Sequence, residues 1–149
     1  MRILIDTNVI LDVLLKRTDF YDSAARVLTL SQEDDIRLYV SASAVTDIYY
    51  IASQALKNKL LVRDLLSKLV QVVWVAGVSE REIKHALGLP WSDFEDSVQY
   101  SVALLQEMDG IVTRNAGDYK ASKLQIWSPK ELLAEVENRK KPHSRSRAD

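Results

Sequence analysis

Asp6 follows the apolar run Ile3-Leu4-Ile5 at the start of the chain. A carboxylate at the end of what reads as a buried strand is costly unless something pairs with it. Four more aspartates fall at equivalent places. Asp47 lies early in the helix after the second predicted strand. Asp93 and Asp96 occupy the first turn of the helix that begins "WSDFEDSVQY", and Asp118 follows the fourth strand in "TRNAGDY". If a sheet sets strands one, two and four side by side, these carboxylates point into one pocket. Crowded carboxylates repel, and some must take up protons. Hard divalent cations relieve that repulsion, because Mg²⁺ and Mn²⁺ prefer oxygen ligands. With two His (His85 and His143) and no Cys, a zinc site of softer ligands has little to draw on. An acidic cluster around Mg²⁺ or Mn²⁺ is the chemistry of metal-assisted phosphodiester cleavage, in which the ion acidifies a water and steadies the leaving oxygen.

Each acid also has an ordinary role open to it. Asp93 suits an N-cap, Asp96 can serve the helix dipole, and Asp118 can be a turn aspartate. Asp47 carries little signal of its own. Asp6 is the hardest to explain in this way, since Thr7 or Asn8 could cap the following helix.

The elements that must position these residues alternate between short apolar runs and helical periods. Strands are predicted over 2–5, 37–42, 70–76, 110–114 and 124–128. Helices are predicted over 8–16, 21–31, 43–57, about 61–69, 79–87 and 92–108, with a last one from 129. Ser79 with Glu82 forms a capping box, and Ser128-Pro129 with Glu131 is a second start signal. Strands alternating with helices imply an α/β fold with a mostly parallel sheet covered on both faces. In such sheets the functional crevice lies at the carboxyl ends of the strands, which is where Asp6 falls.

Composition agrees with a single domain. The chain has 149 residues, 47% hydrophobic and 28% charged, as in ordinary globular proteins. No apolar run approaches the roughly 18 residues that span a bilayer, and the N-terminus makes a poor signal peptide. The expectation is a cytoplasmic protein without membrane contact. The net charge of −1 hides an asymmetry: residues 139–149 hold five Lys/Arg and one Asp, leaving 15 Lys/Arg against 20 Asp/Glu in residues 1–138. Residues 1–138 are expected to form the domain and 139–149 a disordered basic tail. An acidic body does not suit a dedicated nucleic-acid-binding surface but suits an acidic catalytic pocket.

"ILIDTNVILDVLL", "SAVTDIYY", "DFEDSVQY" and "IVTRNAGDY" occur in that order, and together they resemble a PIN-domain ribonuclease, the family that includes toxins of bacterial VapBC pairs. The resemblance covers about residues 1–135. It implies a three-layer α/β/α sandwich with one or two Mg²⁺ or Mn²⁺ ions held by Asp6, Asp47, Asp96 and Asp118. Asp47 stands where the family usually has Glu, one methylene longer. Asp93 is an accessory to Asp96, and Asn8, Thr113 and Asn115 orient ligands and water. Arg114 and Lys120 flank the site as phosphate contacts. The resemblance further implies RNA as substrate, 5′-phosphate and 3′-hydroxyl products, a homodimer and a cognate antitoxin. Val45, Ile48, Tyr49, Tyr50, Ile51, Leu56, Leu60 and Leu61 offer an apolar surplus that such a partner could cover.

Three other readings stay open: a non-catalytic PIN-like binding module, a housekeeping RNA-processing nuclease, and another phosphotransfer enzyme. Against the last, Asn8 stands where a dehalogenase-type phosphatase needs a second Asp, and "WVAGVSE" offers no phospho-accepting Asp after the third strand. Trp91 could stack on a base but is expected to pack as a staple. Trp74 and Trp127 are expected in the core, and His85 in solvent.

Overall fold

The computed structural model describes residues 1–119 and 122–141. Strands β1 (Arg2–Ile5), β2 (Arg37–Ser41), β3 (Trp74–Ala76), β4 (Gly110–Val112) and β5 (Gln125–Trp127) form one sheet in the order β3-β2-β1-β4-β5. Every neighbouring pair is parallel. Between and after them run helices α1 (Thr7–Leu14), α2 (Tyr21–Thr29), α3 (Ala42–Leu56), α4 (Lys59–Val72), α5 (Glu80–Leu87), α6 (Phe94–Leu105) and α7 (Pro129–Lys140).

The side-chain period of two in a strand sorts the core into two halves. Ile3, Ile5, Leu38, Val40, Val112 and Trp127 face α1 to α4 and α7. Leu4, Tyr39 and Ile111 face α5 and α6. The result is the α/β/α sandwich expected from the alternation of elements. Because both faces are covered, the strands read as continuous apolar runs rather than as alternating ones.

Local signals set where the helices begin. Ser41 accepts from the Ala44 N–H at 3.2 Å, and Asn58 accepts from the Leu61 N–H at 3.0 Å. The Ser79–Glu82 capping box and the Ser128 cap with Pro129 in the first turn stand as read. Gly110 is required by close packing: a Cβ there would lie 2.2 Å from the Gln125 carbonyl oxygen and 2.6 Å from the Trp127 ring.

Four expectations need correction. Residues 70–72 belong to α4, not to β3, because Asn58 caps a helix whose apolar stripe from Val62 to Leu69 carries on to the turn before β3. Trp74 is 58% exposed on the edge strand, with Arg37 lying over its ring at 5.3 Å. His85 is not solvated but holds Ser101, as described below. Arg139 and Lys140 complete the last turn of α7, where Lys140 reaches Glu33 at 2.6 Å. Residues 142–149 of the basic tail lie outside the described residues, as does Lys120. No described helix is long and apolar enough to cross a membrane.

The strand order reverses between β1 and β4, which opens a crevice at their carboxyl ends. The site is built there.

Candidate active site

Asp6 is the first residue after β1. Its backbone N–H still follows the sheet, donating to the Val112 carbonyl at 3.0 Å. Its side chain turns back as the N-cap of α1 and accepts from the Thr7 N–H at 2.8 Å. The second carboxylate oxygen accepts from the Thr113 hydroxyl at 2.7 Å. Thr113, fully buried, in turn accepts from the Asn115 N–H at 3.1 Å. Asp6 is only 7% exposed. Burial raises its pKa against the lowering pull of these bonds, and the nearby Asp118 adds to the rise.

Asp96 stands across the crevice in the first turn of α6. Asp93 caps that helix by accepting from the Asp96 N–H at 3.0 Å, so its ordinary capping role holds. Burial is the largest cause that pushes Asp96 up to about 7, followed by the charges of Asp93, Asp6 and Asp118. The Tyr119 hydroxyl lies 3.5 Å from the Asp96 carboxylate. Burial and the surrounding aspartates raise that phenol as well, so it remains a neutral donor.

Together these residues line a cavity of about 430 Å³. Asp6, Asp47, Asp93, Asp96 and Asp118 all reach its wall, as do Asn8 and Asn115. The cavity also holds a carboxylate that the sequence reading missed. Glu95 faces Asp47, and a hydrogen bond to that carboxylate is the largest cause holding Glu95 protonated up to about 7. Gln99 was missed too. It lies one turn beyond Asp96 and so on the same helical face, a spacing that could have found it. Glu95 offered only its place in the "DFED" block as a signal.

Arg114, expected to flank the site, lies on Asp12 and Phe20 instead. It is absent from the cavity wall. Its Nε lies 2.9 Å from Asp12, a charge contact without hydrogen-bond alignment, and its guanidinium lies 4.0 Å from the Phe20 ring centre. Asp12 is completely buried on α1 and also meets Arg17 at 3.2 Å. Burial of that carboxylate draws in the nearest cations, leaving Arg114 committed.

The donor set fits a hard divalent cation. Six carboxylates reach one cavity, and among the described residues no Lys, Arg or His lines it. The upward shifts of Asp96 and Glu95 come from burial and from the neighbouring carboxylates, the repulsion that a bound cation would relieve. Gln99 Oε1 is buried without a partner among the described residues, an acceptor open to a hydrated ion's water. Among the described residues, no three Asp, Glu or His side chains are drawn around a common point as a closed ligand set. Asp6 and Asp96 instead spend their hydrogen bonds on Thr113, Thr7 and Tyr119.

On the neighbouring face, His85 Nδ1 lies 2.7 Å from the buried Ser101 hydroxyl, tying α5 to α6. Its place on α5 above a serine of α6 could not be read from α5 alone.

A family profile described as PIN domain matches residues 2–117. No curated protein matches the chain. Solved structures with the same fold include a DNA-bound VapBC from Salmonella typhimurium at 14% identity and TM-score 0.67. That match covers 87% of this chain and 98% of the other. VapBC-1 from nontypeable Haemophilus influenzae matches at 20% identity and TM-score 0.65, covering 87% and 99%. VapC20 of Mycobacterium tuberculosis, a Sarcin-Ricin loop cleaving toxin, matches at 15% and 0.58, covering 73% and 86%.

Proposed function

The chain belongs to the PIN-domain family, and on that premise we propose that it is a divalent-metal-dependent endoribonuclease and the toxin of a toxin–antitoxin pair. The observation that carries the reading is the meeting of Asp6 and Asp96, 90 residues apart in sequence, on one cavity with Asp47 and Asp118 and, among the described residues, no cationic side chain. Asp6 and Asp96 would hold the principal ion, with Asp47 and Asp118 completing the set. Bound Mg²⁺ or Mn²⁺ supplies Lewis acidity toward water and neutralises phosphate charge.

This chain's own residues do the rest. Thr113 and the Thr7 N–H fix the rotamer of Asp6, as hydrogen-bonded outer residues do in metal sites generally. Tyr119 orients Asp96, and Asp93 fixes the first turn that carries it. Asn8 and Asn115 border the cavity as neutral donors and acceptors for the substrate's phosphate and ribose. Glu95 supplements Asp47, whose shorter side chain stands where the family's Glu would be.

Support for the toxin reading comes from structures of VapBC complexes with the same fold and of a toxin that cleaves a Sarcin-Ricin loop. Tyr50, Leu60 and Leu61 are exposed on the α3–α4 hairpin and Ile51 is 39% exposed beside them. That surface suits an apolar antitoxin segment or a second copy of the chain. Ile48, by contrast, is fully buried, and Val45, Tyr49 and Leu56 pack against the core.

The test is cleavage of single-stranded RNA with Mg²⁺ or Mn²⁺. Wild type should cut and lose activity with EDTA, while D6N and D96N should fold and not cut. Full activity in both variants would refute the assignment.

A further inference from the structure

A second cleft, of about 290 Å³, opens beside the acidic cavity and shares Asp93, Asp96 and Asp118 with it. Trp91, Ser92 and Gly117 form its other side. Trp91 is half-buried there. On the protein side Tyr100 stacks against its ring, with centroids 4.7 Å and planes 27° apart. Tyr119 meets the ring edge-on at 5.8 Å. Both tyrosines are buried, so the indole is fixed before any ligand arrives, and binding need not order it.

The chemistry of this cleft differs from that of its neighbour. A phosphate in either hollow meets carboxylates and needs a cation between. A flat neutral heterocycle needs none: its face can lie on the indole and its N–H edges can donate to Asp93 or Ser92. Asp93 is held in place by the bond it accepts from the Asp96 N–H. Stacking on an aromatic ring serves any base, since each has a π-face.

We propose that this cleft is a nucleobase subsite, in which the base of a nucleotide adjoining the scissile phosphate stacks on Trp91. The adjoining position rests on the nuclease reading above, whereas stacking of a base in the cleft does not. The two hollows meet at three shared carboxylates, so a phosphate held over those acids brings its own nucleoside within reach of the indole. Selection then favours RNA with an unpaired base at the cut, because a base inside a helix cannot leave its stack without cost.

The experiment uses nucleosides, which carry a base and no phosphate. Adenosine and uridine are titrated into the metal-free protein of residues 1–149 and followed by heteronuclear NMR. The expected result is a saturable shift of the Trp91 indole N–H and of the Ser92 and Gly117 amides with at least one nucleoside. Ribose 5-phosphate should leave them unmoved, and the Trp74 and Trp127 indoles serve as internal references. W91F should keep the binding within about threefold, while W91A should weaken binding of a short single-stranded RNA by about tenfold or more. The proposal is overturned if neither nucleoside moves those signals, or if W91A binds the RNA as tightly as wild type. Nucleoside binding in a wild type that fails to cut RNA would keep the subsite and remove the nuclease reading. Cleavage in wild type without nucleoside binding would do the reverse.

Discussion

The Thr113 hydroxyl donates to Asp6 across 107 residues of sequence at 2.7 Å, joining the loop after β4 to the cap of α1. That bond leaves the cavity-facing carboxylate with one orientation. T113V removes the donor at nearly constant volume and T113S keeps it. We expect T113V to weaken Mn²⁺ binding by roughly 10- to 100-fold, the loss usual when a ligand's outer partner is removed, with T113S near wild type. Electron paramagnetic resonance of free Mn²⁺ measures it. Equal affinity in T113V would show that the bond is only structural.

Asp12 is the second point at which α1 grips that loop, through Arg114. Removing the carboxylate leaves Arg17 and Arg114 without their shared anion. D12A is expected to cost about 3 kcal/mol or more, as for other broken buried pairs. R17A, at the more exposed end, should cost about 1 kcal/mol or less. Urea denaturation compares the two, and equal costs would contradict the burial argument.

At the far side of the sheet, Gly110 admits no side chain beside Trp127. The obstacle at 2.2 Å is backbone, which cannot step aside as a flexible side chain would. G110A should therefore lose about 2 kcal/mol or more with no direct effect on the acids. A midpoint of chemical denaturation within error of wild type would show that β5 can shift.

The pH dependence of the metal-free protein has two arms of opposite sign. Asp96 is raised from 3.8 to about 7, so its folded form binds protons more tightly than its unfolded form. Its contribution is fully present below 3.8 and is lost as pH rises through about 7. Glu82 is lowered from 4.5 to about 2 by its bonds from Ser79. Its contribution is present above 4.5 and is lost as pH falls through about 2. Thermal melts should thus decline toward neutral pH in wild type, decline less in D96N, and recover with Mn²⁺. In E82Q the acid arm should flatten. A melt in D96N with the full wild-type decline would contradict the assigned cause.

The sequence carries the parts of this site that depend on local order. Asp6 is legible because a charge directly after Ile3-Leu4-Ile5 conflicts with a buried strand, and Asp93 because it precedes an amphipathic helix. The alternation of elements gives a parallel sheet, but the strand order that brings them together comes from the structure. What was not legible depends on pairs brought together only by packing. Arg114 looked free because Asp12, its anion, lies on another element. Glu95 gains its role only by facing Asp47 across two helices. Trp74 looked like core because an edge strand and a central strand have the same apolar composition, and only the sheet order tells them apart. The last residues of α4 are hard to read for a similar reason: "VQV" (70–72) has β-branched residues but continues a capped helix.

If the carboxylates of Asp6 at the cap of α1, Asp47 on α3, Asp96 on α6 and Asp118 after β4 share a hard divalent ion, titration calorimetry with Mn²⁺ will detect it. Wild type should bind Mn²⁺ at neutral pH with release of protons, and D6N and D96N, each still folded, should lose that binding. No heat of binding in wild type, or binding in both variants equal to wild type, would contradict the claim.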